Sequence, residues 1–371
     1  MEIDTVLDDS KRKLGVREFF AVIFSSIAIE VTDATPTYIF KVAMDASWIM
    51  TLISVIIPFI SLLALLKLLK RYKNLNIIDI TYKLTGKYIG LILGMTLFIE
   101  LLCFSAFNTR SYVGILTAMF YNRTPILVLY FTLVGTCLIV ALLGLNAIGR
   151  IAWLTLPLMI ISIVVYIALI FKDLNPGYLF PLLGPGIKDI AKNGFMYSTI
   201  YGEIIFFSVF FPEVKSYSSY KKASILGLSI VAIILSLFGA VYIMAFDYPS
   251  VTIISYPYQT LARLIYIGRF VGNTEAVFLI IWVITSVTRF SIYLYMDAAL
   301  INSTLKLNKL KALLLPCASL SLLIGLLLDN YIQYVQIIRT ILDRLTLVTL
   351  FSLPFILLII SQFKGDYINE K

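Results

Sequence analysis

Two short stretches place acids, hydroxyls and helix breakers inside otherwise apolar runs. The first, Glu30-Val31-Thr32-Asp33-Ala34-Thr35-Pro36-Thr37, follows the apolar run Phe19 to Ile29. The second is Tyr197-Ser198-Thr199-Ile200-Tyr201-Gly202-Glu203. A continuous helix is costly at both. Pro36 removes a backbone hydrogen bond and disfavours helical geometry at Thr35, and Gly202 lets the helix relax. Freed amides can hold an anion and freed carbonyls a cation, while Glu30, Asp33 and Glu203 add negative charge beside them. The same breakers also kink ordinary helices. Acids at both breaks favour a binding site over a packing kink.

Two further sets lie on helical faces. Glu100, Asn108 and Ser111 share one face, with Phe104 and Phe107 beside them. Thr285, Arg289 and Tyr293 recur at intervals of four, with Ser286 adjacent. A charge inside a membrane span costs several kcal/mol unless it faces the interior and finds a partner. Arg289 therefore needs an acid, and Glu100, Glu203 and Asp33 are candidates. The alternative role is a structural ion pair that fixes helix register. Arg110 lies off the Glu100 face and is expected to snorkel outward.

The elements that must position these residues are membrane helices. Of 371 residues, 60% are hydrophobic and 14% charged, with a mean hydropathy of +0.95. Soluble domains are about 45–50% apolar and about 25% charged, so a soluble enzyme and a disordered chain are both excluded. Ten apolar segments are expected, at about 17–40, 47–69, 88–120, 125–145, 151–171, 194–212, 223–246, 273–299, 311–328 and 344–363. With the N-terminus inside, cytoplasmic connections carry 19 of the 30 Lys and Arg residues and external ones 9. That bias places both termini in the cytoplasm. The polar start of the chain leads into a stretch too long for a signal core, so no cleavable signal peptide is expected.

Pro257 to Ile265, and Tyr331 to Arg344, read as short amphipathic helices, either at headgroup level or packed on the bundle. No linker divides the chain, which reads as one transmembrane domain with five-helix halves at about 17–171 and 194–363. Segments one and six then correspond. Paired breaks at matching places point to an inverted-repeat transporter fold with its site at the breaks.

Histidine is absent, which removes the commonest general base and metal ligand. Cys103, Cys137 and Cys317 fall in apolar runs without CxxC spacing and read as buried thiols. No P-loop, GxGxxG, GxSxG or metal-ligand cluster occurs. Catalysis, a cofactor and a metal are therefore not expected. The expected partners are lipid and a small solute, with no nucleic acid.

Several stretches together resemble the B subunit of GerA-type spore germinant receptors, a branch of the amino acid–polyamine–organocation transporter superfamily. They are Ser47-Trp48-Ile49, the basic end Leu65 to Tyr72, Asn76 to Gly94, Leu182 to Gly186 and Tyr201-Gly202-Glu203. The most distinctive is Tyr256-Pro257-Tyr258 through Arg263 to Phe270, ending at Glu275 to Phe278 and Trp282. The likeness covers nearly the whole chain.

It implies an all-α polytopic protein with a LeuT-like 5+5 inverted repeat and broken helices one and six. It also implies a receptor subunit in the spore inner membrane, acting with an A subunit and a lipoprotein C subunit and binding a nutrient, typically an amino acid. By position the ligand would lie between segments one, three, six and eight. The candidate residues there are Glu30, Thr32, Asp33, Ala34, Thr35, Asn108, Tyr197, Tyr201, Gly202, Glu203, Thr285, Ser286 and Arg289. One departure bears on chemistry. Related amino acid transporters have glycine-rich unwound backbone in segment one, whereas Glu30 to Thr37 has no glycine and two acids. A cationic group, an inorganic cation or a proton near Glu30 or Asp33 suits that stretch better than a carboxylate. The competing function is a proton- or sodium-coupled transporter of an amino acid or cation. A third is a scaffold with a degenerate site.

Overall fold

The computed structural model describes residues 13–33, 35–265, 274–327 and 331–364. Ala34 lies outside the described residues. Among the described residues, each of the ten apolar segments is mostly helical. Among the described residues, seven helical runs are long and apolar enough to cross a membrane: 35–71, 87–119, 145–173, 187–213, 217–246, 278–305 and 341–363. Two shorter apolar helices are Ile126–Leu142 and Leu310–Leu326.

Segment one is not one long helix because it breaks where its sequence turns polar. Helix Val16–Ile27 passes into a 3-10 stretch Ala28–Thr32, Asp33 is extended, and helix resumes at Thr35–Ala43. The Asp33 carboxylate accepts the Thr35 amide at 2.6 Å, capping the new helix. Pro36 is the second residue of that helix, where no intrahelical amide is needed. The break thus precedes Thr35, which is itself helical.

Segment six breaks in the matching place. Helix Ile187–Met196 gives way to 3-10 winding over Tyr197–Tyr201, a short helix Glu203–Phe206, and 3-10 winding again over Phe207–Glu213. Gly202 is not itself the irregular residue, because it holds ordinary helical angles (φ −59, ψ −31). What it supplies is closeness: a Cβ there would sit 3.0 Å from the Thr199 carbonyl and 3.1 Å from Thr346 of segment ten.

The remaining segments build a frame around these two. Segment two comprises Ser47–Ser54 and Ile56–Arg71. Segment three is Lys87–Met119, five is Leu145–Ile170, seven is Tyr217–Phe246 and eight is Thr274–Leu305. The first half of segment one packs on five, seven and eight, while three packs on eight, nine, four and ten. A helix Ile77–Thr85 joins two to three. It starts at an Asn76–Asp79 capping box and stops at Gly86, whose φ of +84 favours glycine.

Of the two amphipathic stretches, one is a separate short helix, Pro257–Leu264. The other is not: Tyr331–Phe363 is a single 33-residue helix, so the amphipathic stretch opens segment ten.

Candidate functional site

The two breaks meet through one buried arginine. Arg289 is wholly buried, and its Nη2 donates to Glu30 of segment one and, at 3.1 Å, to Glu203 of segment six. Its Nε and Nη2 donate to the Tyr293 hydroxyl at 2.9 and 2.6 Å, and Nη1 reaches the Tyr112 hydroxyl at 3.3 Å. Tyr293 and Ser26 each donate a hydroxyl hydrogen bond to Glu203. Thr35 donates to the other oxygen of Glu30 at 2.8 Å. The guanidinium also lies 5.8 and 5.1 Å from the ring centres of Tyr112 and Tyr293, within cation–π range. One fixed positive charge therefore faces two carboxyl groups on the two broken helices.

The geometry settles which acid meets Arg289. Glu100 lies elsewhere, accepting from Thr346 and, at 2.7 Å, from Thr349 of segment ten. Asp33 caps its own helix.

The other candidates divide. Thr32 is a junction: its hydroxyl donates to the Ile29 carbonyl at 2.7 Å and accepts the Trp282 indole N–H at 2.8 Å. The Thr32 carbonyl accepts from Gln259 at 2.9 Å. Thr285 and Ser286 both donate to the Trp282 carbonyl of their own helix. The side-chain amide of Asn108 donates to Phe104 of its own helix. Tyr201 turns away from Arg289 and donates to the Thr51 carbonyl of segment two at 3.0 Å. Tyr197 is half-buried at the start of the 3-10 turn.

Tyr112, Tyr293, Ser26, Trp282 and Gln259 join this network without having been among the candidates. Tyr293 was signalled by helical spacing, one turn from Arg289, whereas Ser26 bonds Glu203 across the fold. Tyr112, Trp282 and Gln259 had no such local signal, because their partners lie far away in sequence.

Two cavities flank segment one. The larger is bounded by segments one, five, seven and eight and by Tyr258, and no charged side chain lines it. Thr32, Trp282 and Thr285 form part of its wall. The smaller lies between segments one, two, six and seven, has room for only one or two water molecules, and has Glu30 in its wall.

A broken-helix bundle with a charged cluster bridging helices one and six defines a membrane protein of the LeuT-like transporter fold. The structure of Mhp1, a nucleobase-cation-symport-1 family transporter in a closed conformation with bromovinylhydantoin bound, matches with a TM-score of 0.65 at 14% identity. That match covers 90% of this chain and 78% of Mhp1. The chain belongs to the spore germination protein family, whose model matches residues 16–334. Spore germination protein A2 of Bacillus subtilis (strain 168) is 27% identical over 282 residues, 75% of this chain and 76% of the relative. Spore germination protein KB of the same organism is 23% identical over 191 residues, 50% of this chain and 51% of the relative. The protein is thus an integral membrane protein of a germination-related, transporter-like family.

Proposed function

We propose that this protein is a nutrient-sensing subunit of a germinant receptor in the spore inner membrane, with both termini cytoplasmic. It would act with receptor A and lipoprotein C subunits. A small solute binds beside the breaks of segments one and six and favours one of two arrangements of the helices, and the partner subunits read that change. The observation that carries this reading is Arg289 bridging Glu30 and Glu203, because a ligand that competes for either acid alters the tie between the two broken helices. Removing one partner of a buried ion pair costs about 3–5 kcal/mol, ample to bias a two-state equilibrium. The relatives' names support the germination role.

The test is deletion of the gene in its host, with spores scored for dipicolinic acid release across amino acids, nucleosides, sugars and salts. Selective loss of one response, restored by the gene, is the expected result and identifies the ligand class. Normal germination combined with reduced solute uptake in growing cells contradicts it.

A second reading is a proton- or sodium-coupled secondary transporter. It is favoured by the fold likeness to a cation symporter and by the two carboxyl groups facing one guanidinium. On that reading the purified chain drives counterflow of its bound ligand in liposomes, whereas a sensor binds without flux.

A further inference from the structure

We infer that Asp297 binds a small monovalent cation, a proton or a sodium ion, in the seam between segments three, eight and nine. The site stands apart from the sensing reading and belongs equally to a transporter.

Asp297 lies in the interior of segment eight, where that helix packs on segment three and on segment nine, Leu310–Leu326. Its side chain is wholly buried, and neither carboxyl oxygen has a hydrogen-bond partner among the described residues. The Ser105 hydroxyl of segment three is close by, short of a bond in this arrangement. The thiols of Cys103 and Cys317, from segments three and nine, are near enough to sense its charge. Among the described residues, no lysine or arginine bonds it. Arg289 is eight residues away on the same helix, about 12 Å, and is already shared by Glu30 and Glu203. An ionised carboxyl without a partner inside a membrane span costs several kcal/mol, and a bound cation removes that cost.

The surroundings select the cation. One carboxyl group balances one charge, and a divalent ion would leave an excess charge in the same seam. Among the described residues, no three His, Cys, Asp or Glu side chains converge on a point where they could hold a metal, so the two thiols do not complete a soft-metal site. Segments three and eight are continuous helices here, and their carbonyls are taken by the helical ladder. The carboxyl and Ser105 therefore offer a sodium ion three oxygens, and water must complete its shell. A proton needs no further ligand, because the O–H it creates has Ser105 as an acceptor.

Thr304 marks the way in. It lies seven residues beyond Asp297 on the same face of segment eight, and its buried hydroxyl also has no partner among the described residues. Gly94 of segment three stands against it, with space so tight that a Cβ would come within 2.6 Å of that hydroxyl. Two unpaired polar groups thus run in line from the helix end at Leu305 to Asp297, through a seam that is closed in this arrangement. Departure of the cation leaves a bare carboxylate that only entering water can relieve, so exchange and the opening of segments three and eight are linked.

The test uses the full chain in nanodiscs at neutral pH, with Asp297→Asn as the neutral isostere. Infrared spectra of protein carrying isotope-labelled aspartate report a protonated carboxyl group by its C=O stretch. Unfolding temperatures in sodium chloride and in choline chloride, at equal ionic strength, report sodium. The expected result is an acid band that Asp297→Asn removes, with equal unfolding temperatures in the two salts. A saturable rise specific to sodium, abolished by Asp297→Asn, makes sodium the occupant instead. Ser105→Ala should move the acid band toward that of a free carboxyl group, or weaken sodium about three- to ten-fold, the worth of one hydrogen bond.

Absence of both signals overturns the site. So does a fall of about 10 °C or more in the unfolding temperature of Asp297→Asn, because an amide replaces a carboxylate and its mobile cation at little cost, whereas breaking a pair with a fixed protein cation is strongly destabilising. Neither readout involves germination, so the sensing reading is judged by the deletion spores alone.

Discussion

Arg289 has five N–H donors in a rigid fork, and the site uses them on two carboxylates and two tyrosine hydroxyls. Lysine has one compact ammonium and cannot span that set. Arg289→Lys is therefore expected to lower stability by about 3 kcal/mol, read as a fall in melting temperature of the purified protein. An unchanged melting temperature contradicts a structural tie at this position. The sequence announced that Arg289 needed an acid, and Glu203 was among the candidates. Glu30 was assigned to the ligand site but not to the arginine, because the pairing depends on how two broken helices approach each other. No spacing within one segment encodes that approach. Helical spacing did place Tyr293 beside Arg289.

The decisive features at the element scale are the breaks and what packs against them. Pro36 and the acid run located the first break to within a few residues. At the second, glycine suggested backbone freedom, whereas Gly202 holds helical angles and serves close packing against Thr346 and Leu350. A branched side chain there must push segment ten away. Gly202→Val should destabilise the protein by about 1–3 kcal/mol, measured by thermal unfolding in detergent. A neutral effect would show that segments six and ten do not depend on that contact. At the helix between segments two and three, Asn76→Ala removes a capping box and an amide hydrogen bond to Ser303. A loss of about 1 kcal/mol is expected in the same assay. Segment ten differs from its sequence reading because Tyr331–Phe363 continues without a break, and amphipathic character alone does not reveal where a helix ends.

The whole molecule was the most legible level. Composition required a helical membrane protein, and the paired breaks pointed to an inverted-repeat fold that the Mhp1 likeness bears out. The proposed orientation rests on the distribution of Lys and Arg and has a direct test. In a chain with Cys103, Cys137 and Cys317 replaced by alanine, an impermeant maleimide added to intact cells should label Lys188→Cys and spare Lys73→Cys. The reverse labelling would invert the topology. Sequence alone did not show how the central space is filled: the region between segments one, three, six and eight holds an ion-pair network, with cavities on other sides of segment one.

On the sensing proposal, the Arg289 bridge holds the resting state of the receptor subunit. The most direct test is germination of spores carrying Glu203→Gln, with the level of the protein in the spore membrane measured alongside. Weakening the bridge should lower the germinant concentration for half-maximal dipicolinic acid release by about five-fold or more, the range of a coupling free energy of 1–3 kcal/mol. The amount of protein should be unchanged. An unaltered concentration dependence at normal protein level would contradict the claim.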